Sequence, residues 1–175
     1  ADAQLNLGLI FCEGIYVKQN LNKGTFLLIH SSKNRNIKAY FILGFFYHEG
    51  RIMKRNIQES IHFYKEASSF NDQYAKNNLG VIYKNGFNNE LKPNINFAIE
   101  LFNEAIHQSN DLLSMYNLAS IFIFTDNIIT NDEKIIDLLI KSFISGFYPS
   151  IVLLCLFLIK KFDFKINKIK EVLSK

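Results

Sequence analysis

Three segments of this chain are built on one pattern: AQLNLGLIFCEG (Ala3–Gly14), AYFILGFFYHEG (Ala39–Gly50) and AKNNLGVIYKNG (Ala75–Gly86). Aligned on the small residue that follows Leu, the pattern recurs at Gly8, Gly44, Gly80, Ala119 and Cys155, with spacings of 36, 36, 39 and 36. Three residues later stand Phe11, Tyr47, Tyr83, Phe122 and Leu158, all large. Gly14, Gly50 and Gly86 follow three residues after that and suit a left-handed helix end. An internal period of this length restricts the fold more than any composition figure, because each unit must be one supersecondary element that stacks on its neighbours.

A second block follows each first block. It places Gly24, Ser60, Ala98 and Ile135 seven residues before Ser31, Ala67, Ala105 and Ser142, with Leu28, Tyr64, Phe102 and Leu139 midway. Apolar or small residues at i, i+3 or i+4, and i+7 form one face of a helix. Each period therefore reads as a helical hairpin. Small residues let the antiparallel partner approach, and the large residue one turn on fills the space beside them. First helices are expected near 3–13, 38–48, 74–85, 112–124 and 149–161. Second helices are expected near 20–31, 56–69, 94–108, 132–144 and 164–174.

These residues resemble the Sel1-like repeat, a relative of the tetratricopeptide repeat. ADAQLNLG at the start is similar to that family's usual opening, and AKNNLGVIYKNG with NINFAIELFNEA follows a whole unit. Asn56 and Asn94 stand where the family starts its second helix with Asp, and both remain good caps. The fourth unit has Ala119 for Gly and Thr125 for the hairpin Gly, and the fifth has lost most of the signature. The 36-residue period and the long inner loop from Phe87 to Pro93 favour this family over a strict tetratricopeptide array, whose period is 34. The resemblance implies an all-α fold, a right-handed α-solenoid of about five stacked antiparallel hairpins. One array then spans 1–175, with units near 1–37, 38–73, 74–111, 112–147 and an atypical 148–175, and reads as a fragment of a longer chain. Stacking at about 10 Å per layer gives a curved rod of about 50 Å.

Composition removes several functional classes. The net charge of +4 is confined to the tail: residues 160–175 hold six Lys against two acids, and the remainder balances. A nucleic-acid binder needs a continuous basic stripe, so none is expected as a partner. Phe164, Ile166, Ile169, Val172 and Leu173 are expected to face inward in an amphipathic last helix, its lysines supplying the polar cap of the array. A membrane-surface helix or an acidic-partner contact is the alternative reading of that tail. The longest apolar run, Ile151–Ile159, is far short of the roughly twenty residues that span a bilayer. Membrane contact is therefore not expected within this segment.

Catalytic and metal chemistry is not legible anywhere. His30, His48, His62 and His107 fall in different units, without ligand spacing. The adjacent His48–Glu49 pair reads as a polar helix end, since sequence neighbours on a helix diverge. The glycines recur singly and make no phosphate loop. No catalytic residue, cofactor, metal or small-molecule substrate is expected. Cys155 sits in the small-residue register and is expected to be buried. Cys12 lies one position past the core aromatic and is expected to be partly exposed. Family relatives carry disulfides within repeats, and this chain lacks those pairs.

The resemblance further implies that first helices line the concave side. Residues three before, one after and four or five after the small residue would then face a partner. These are Phe41, Phe45, His48 and Glu49 in the second unit, Asn77, Val81, Lys84 and Asn85 in the third, and Tyr116, Ser120, Ile123 and Phe124 in the fourth. Aromatic and amide groups together suit gripping a peptide or helix. Packing of Phe41, Phe45 and Ile123 on neighbouring first helices is the competing reading. The resemblance implies a non-catalytic scaffold or adaptor for partner proteins or peptides. The alternative is a regulatory or substrate-delivery region of a larger enzyme assembly, such as an endoplasmic-reticulum quality-control ubiquitin ligase. No Asn-X-Ser/Thr sequon is present, which favours the cytoplasm over the endoplasmic-reticulum lumen.

Overall fold

A computed structural model describes residues 1–88, 90–125 and 131–173, with side chains described as far as Asp163. Among these residues the elements are α1 (Asp2–Glu13), α2 (Leu21–Lys33), α3 (Ile37–Glu49), α4 (Ile57–Ser69), α5 (Gln73–Asn85), α6 (Ile95–Ser109), α7 (Leu112–Phe124), α8 (Asp132–Ile144) and α9 (Pro149–Leu173). The fold is an all-α repeat solenoid. Two compact units, Ala1–Leu101 and Phe102–Lys175, divide the chain inside α6.

Polar side chains start the helices from α2 to α8. Asn20, Asn36, Asn56, Asp72, Asn94, Asp111 and Asn131 each accept a hydrogen bond from a backbone N–H two or three residues on. This satisfies amides that have no partner inside the helix. Only Asn56 and Asn94 were singled out in the sequence, so part of the chain's asparagine content has a structural use. Between consecutive hairpins the chain reverses through Arg35, Asn71, Asn110 and Gly146, all at positive φ.

In the first unit α1 packs on α2, and α3 on α4, as antiparallel hairpins. Leu28 lies over Gly8, and Cys12 over Gly24; Tyr64 lies over Gly44. A Cβ added at Gly44 would sit 2.7 Å from Cδ1 of the Tyr64 ring. Ser60 donates to the Gly44 carbonyl at 2.8 Å, so the second-helix small residue also ties the two backbones together. Leu28 and Tyr64 are wholly buried, as the register requires. One cluster joins Leu5, Cys12, Leu28, Ala39, Leu43 and Phe46; another joins Ile57, Ile61, Tyr64, Ala67, Ala75, Leu79, Ile82 and Leu101.

Cys12 is therefore a core residue, against expectation. Gly24 has no side chain and leaves room for its sulfur. The large residues at the Phe11 and Tyr47 positions are half-buried instead of central. Phe11 lies under the Lys23 ammonium at 4.1 Å, and Tyr47 stacks on Phe63 at 5.7 Å. The fully covered positions lie one residue earlier, at Phe46 and Ile82.

Gly14 and Gly50 end their helices in the left-handed conformation. Gly86 does not. Its φ of 67° pairs with a ψ of −170°, a region that essentially only glycine occupies. The difference follows from the longer inner loop, which closes with an antiparallel bridge between Phe87 and Leu91.

The second unit repeats the scheme with α7 and α8. Phe102 and Leu139 are wholly buried. Ser142 donates to the Leu112 carbonyl at 2.9 Å and accepts from Ser150 at 2.8 Å. Ser31 makes the equivalent bond to the Ala1 carbonyl in the first unit, at 2.8 Å.

The fifth repeat departs from expectation. α9 is one continuous 25-residue helix, with no break between 161 and 164. KKFDFK contains no Gly, Pro or Asn to stop it. Ser150, Leu153, Leu154 and Phe157 face inward, while Cys155 and Leu158, the register residues, are exposed. Their burial requires an antiparallel second helix, and α9 runs straight through the place where the chain would turn. Phe164, Ile166, Ile169, Val172 and Leu173 lie outside the described side chains.

Candidate functional site

Each unit presents its own part of the expected face. In the first unit, α3 carries Phe41, Phe45 and His48, and α5 carries Asn77, Val81, Lys84 and Asn85. Phe41 is half-buried, its ring 5.8 Å from Tyr64 and 6.1 Å from Tyr74. It bridges α3 to its neighbours as much as it faces solvent. Phe45 is exposed, its ring 6.4 Å from Phe46. Asn77 is buried and lies behind the surface. Val81 and Lys84 are half-buried, and Asn85 is exposed. Burial lowers the Lys84 ammonium from its usual range.

His48 and Glu49 do approach one another, with Nδ1 3.8 Å from Oε1. This is longer than a hydrogen bond. Burial lowers the His48 pKa, with Glu49 opposing and Arg55 reinforcing. The folded state therefore resists protonation that the unfolded chain accepts. Stability from this group is present above the ordinary histidine range and is lost as the pH falls through the lowered value. Asp72, raised mainly by burial, acts in the opposite sense, and its contribution is common to the wild type and the His48 variant. On going from pH 7.5 to 5.5, the wild-type melting temperature should fall further than that of His48→Gln. Equal falls in a differential scanning experiment would contradict the assignment.

In the second unit, Tyr116 is half-buried and meets Phe147 edge-on at 5.4 Å. Ser120 is buried and donates to the Asn117 carbonyl at 2.8 Å, so it supports the helix and cannot reach a partner. Ile123 is buried and Phe124 exposed. Tyr116 lines a groove of about 520 Å³ with Tyr148, Pro149, Ile151, Val152, Leu153 and Leu156.

Val152, Leu156 and Ile159 are exposed residues that the sequence reading missed. They occupy the same offsets from Cys155 that Tyr116, Ser120 and Ile123 occupy from Ala119, so carrying the rule into the fifth repeat finds them. Among the described residues no three His, Cys, Asp or Glu gather at a point, and no helix is long and apolar enough to cross a membrane.

Residues 1–29, 37–69 and 73–110 match the Sel1 repeat, more than half of the chain. Among curated protein sequences there is no significant match. Among solved structures, a Sel1 repeat protein from Oxalobacter formigenes superposes with a TM-score of 0.75 at 21% identity, over 85% of this chain and 60% of that one. The protein c5321, a protective antigen of uropathogenic Escherichia coli strains displaying an SLR fold, gives 0.72 at 22% identity, over 83% of this chain and 30% of its own. At these identities the likeness is one of fold, and the chain spans less than two thirds of either relative. The repeat match, running through α1 to α6 in the register that the buried residues trace, places the chain in the Sel1 repeat family.

Proposed function

We propose that this chain is a non-catalytic scaffold that binds partner proteins or peptides through exposed first-helix residues. Sel1 repeat proteins are generally protein-interaction scaffolds. The observation that carries the reading here is the groove in the second unit. Its lining is apolar apart from two tyrosine hydroxyls, and it lies on first-helix positions that packing leaves open. Phe45, His48, Lys84 and Asn85 offer a more polar contact in the first unit. An amphipathic peptide with one or two large apolar anchors fits the groove: the anchors displace water, and the hydroxyls fix orientation. Service within a larger enzyme assembly would use the same groove and differ only in what the flanking chain supplies.

The test is selection from a displayed peptide library on the 175-residue chain, followed by fluorescence polarisation. Tyr116→Ala with Leu156→Asp should weaken selected peptides about thirtyfold or more, with helicity kept, since a central anchor is commonly worth about 2 kcal/mol. Failure to enrich any peptide, or equal affinity for the variant, would refute the proposal.

A further inference from the structure

The loops that join first to second helices bring opposite charges together without pairing them. Between the α3–α4 loop and the α5–α6 loop, both inside the unit Ala1–Leu101, lies a cleft of about 550 Å³. Tyr47, Met53, Lys54, Arg55, Asn56 and Glu90 line it. Tyr47 and Met53 are half-buried, and the three charged residues are exposed. Among the described residues Lys54, Arg55 and Glu90 make no ion pair, although cations and carboxylate share the cleft.

Both walls are held in place by the chain itself. The α3–α4 loop is tied at its end by the Asn56 N–H, which donates to the Tyr47 carbonyl at 3.0 Å. The Tyr47 ring stacks on Phe63. Opposite, the Glu90 N–H donates to the Phe87 carbonyl at 3.0 Å, inside the turn closed by the Phe87–Leu91 bridge. The Arg55 guanidinium rests over the Phe87 ring at 4.5 Å, reaching from one loop to the other. That contact orders the planar fork, so little side-chain freedom is lost when its N–H groups take a carboxylate. The Asn56 side chain already accepts from the Gln58 and Glu59 amides, so the start of α4 offers no anion site of its own.

A purely anionic ligand suits this lining poorly. Glu90 lies on one wall, and behind the other burial raises the Tyr47 pKa, with nearby Glu59 adding to the rise. We propose that the cleft takes an extended segment of a partner protein that carries one acidic and one basic side chain two residues apart. Side chains at i and i+2 of a strand lie on one face, roughly 7 Å apart. The acidic one then reaches Arg55 and Lys54 while the basic one reaches Glu90, and their stems lie on Tyr47 and Met53. The residue between them turns to the opposite face. A carboxylate held by both arms of the guanidinium fixes the orientation of the segment. The proposal adds a second contact to the scaffold reading and shares no residue with the groove.

Amide NMR titration of the nitrogen-15-labelled 175-residue chain with synthetic peptides tests it. The probe is a capped pentapeptide in which glutamate and lysine flank a valine between two glycines, made in both orders. Its companions carry two glutamates, two lysines or two glutamines at those positions. The tighter order should shift the amides of Met53, Lys54, Arg55, Asn56 and Glu90 and bind about fivefold or more tighter than each companion. Arg55→Gln should weaken it about fivefold or more. Lys33→Gln, a charge removed at the far end of the hairpins, should leave it unchanged. Glu90→Lys should reverse the preference, making the two-glutamate peptide the tightest. Tyr116→Ala with Leu156→Asp should have no effect, which separates this site from the groove. No shift at roughly 5 mM peptide overturns the proposal. So does wild-type binding of the two-glutamate peptide or inorganic phosphate as tight as that of the mixed probe, or a preference that Glu90→Lys leaves unchanged.

Discussion

Gly44→Ala is expected to destabilise the first unit by about 1–3 kcal/mol, and Tyr64→Ala by about 3–5 kcal/mol. The double variant should lose clearly less than the two losses combined. The added methyl at Gly44 would meet Cδ1, Cε1 and Cγ of Tyr64 at 2.7–3.0 Å. The ring cannot swing aside. It is wholly buried, Phe41 lies beside it, and its hydroxyl accepts from Asn78 Nδ2 at 3.0 Å. Burial also raises the Tyr64 pKa far beyond the ordinary phenol range, so the hydroxyl stays protonated at any pH used for folding experiments. Removing the ring opens a cavity that the alanine methyl partly fills, which is why the two losses couple. Urea unfolding followed by circular dichroism would measure all three variants. Strict additivity would mean that Gly44 is small for some other reason than the ring.

Gly86→Ala is the second large effect, at about 2–3 kcal/mol. The backbone there costs any residue with a Cβ about 1–3 kcal/mol before contacts are counted. The new atom would also approach the Leu91 carbonyl at 2.6 Å and Pro93 Cδ at 2.7 Å. Both belong to backbone or ring, so neither can rotate away. At Gly50 a Cβ would meet Arg55 Cβ at 2.8 Å and otherwise nothing nearer than 3.4 Å. The backbone there is in the ordinary left-handed helical region, which residues other than glycine also enter. Gly50→Ala should therefore cost less than Gly86→Ala in parallel thermal melts. The reverse order would show that the bridged loop rearranges.

The second-helix register could be read from the sequence because Leu28, Tyr64 and Leu139 are held between a hairpin partner and the rest of their unit. Nothing but burial is available to them. First-helix positions are less constrained, and there the reading slipped. Counting offsets places Asn77 and Ser120 on a binding face, but polar side chains at those offsets can turn inward to satisfy backbone or neighbouring groups, and both are buried. Phe41 and Tyr116 pack and face solvent at once. The cysteines went the wrong way for one reason seen from two sides. A register residue is buried only if a partner helix lies over it, and none does over Cys155 among the described residues; an off-register residue is buried if its neighbour is small, which Gly24 ensures for Cys12. The Sel1 signature weakens before α9, so the resemblance could not say whether a turn follows residue 161.

The loop between α5 and α6 carries a different lesson. Its extra length is sealed at the base, where the Phe87 N–H donates to the Leu91 carbonyl at 2.7 Å and the Leu91 N–H returns the bond at 3.1 Å. Asn94 still caps α6, and its N–H still reaches the Tyr83 carbonyl at 2.7 Å, as Asn56 reaches Tyr47 in the preceding hairpin. Added residues are looped out above a closed neck, so a lineage can lengthen or shorten this tip without retuning the interior. The same neck is a natural splice point for an affinity tag or a foreign epitope, because an insert there inherits two anchored ends a few ångströms apart.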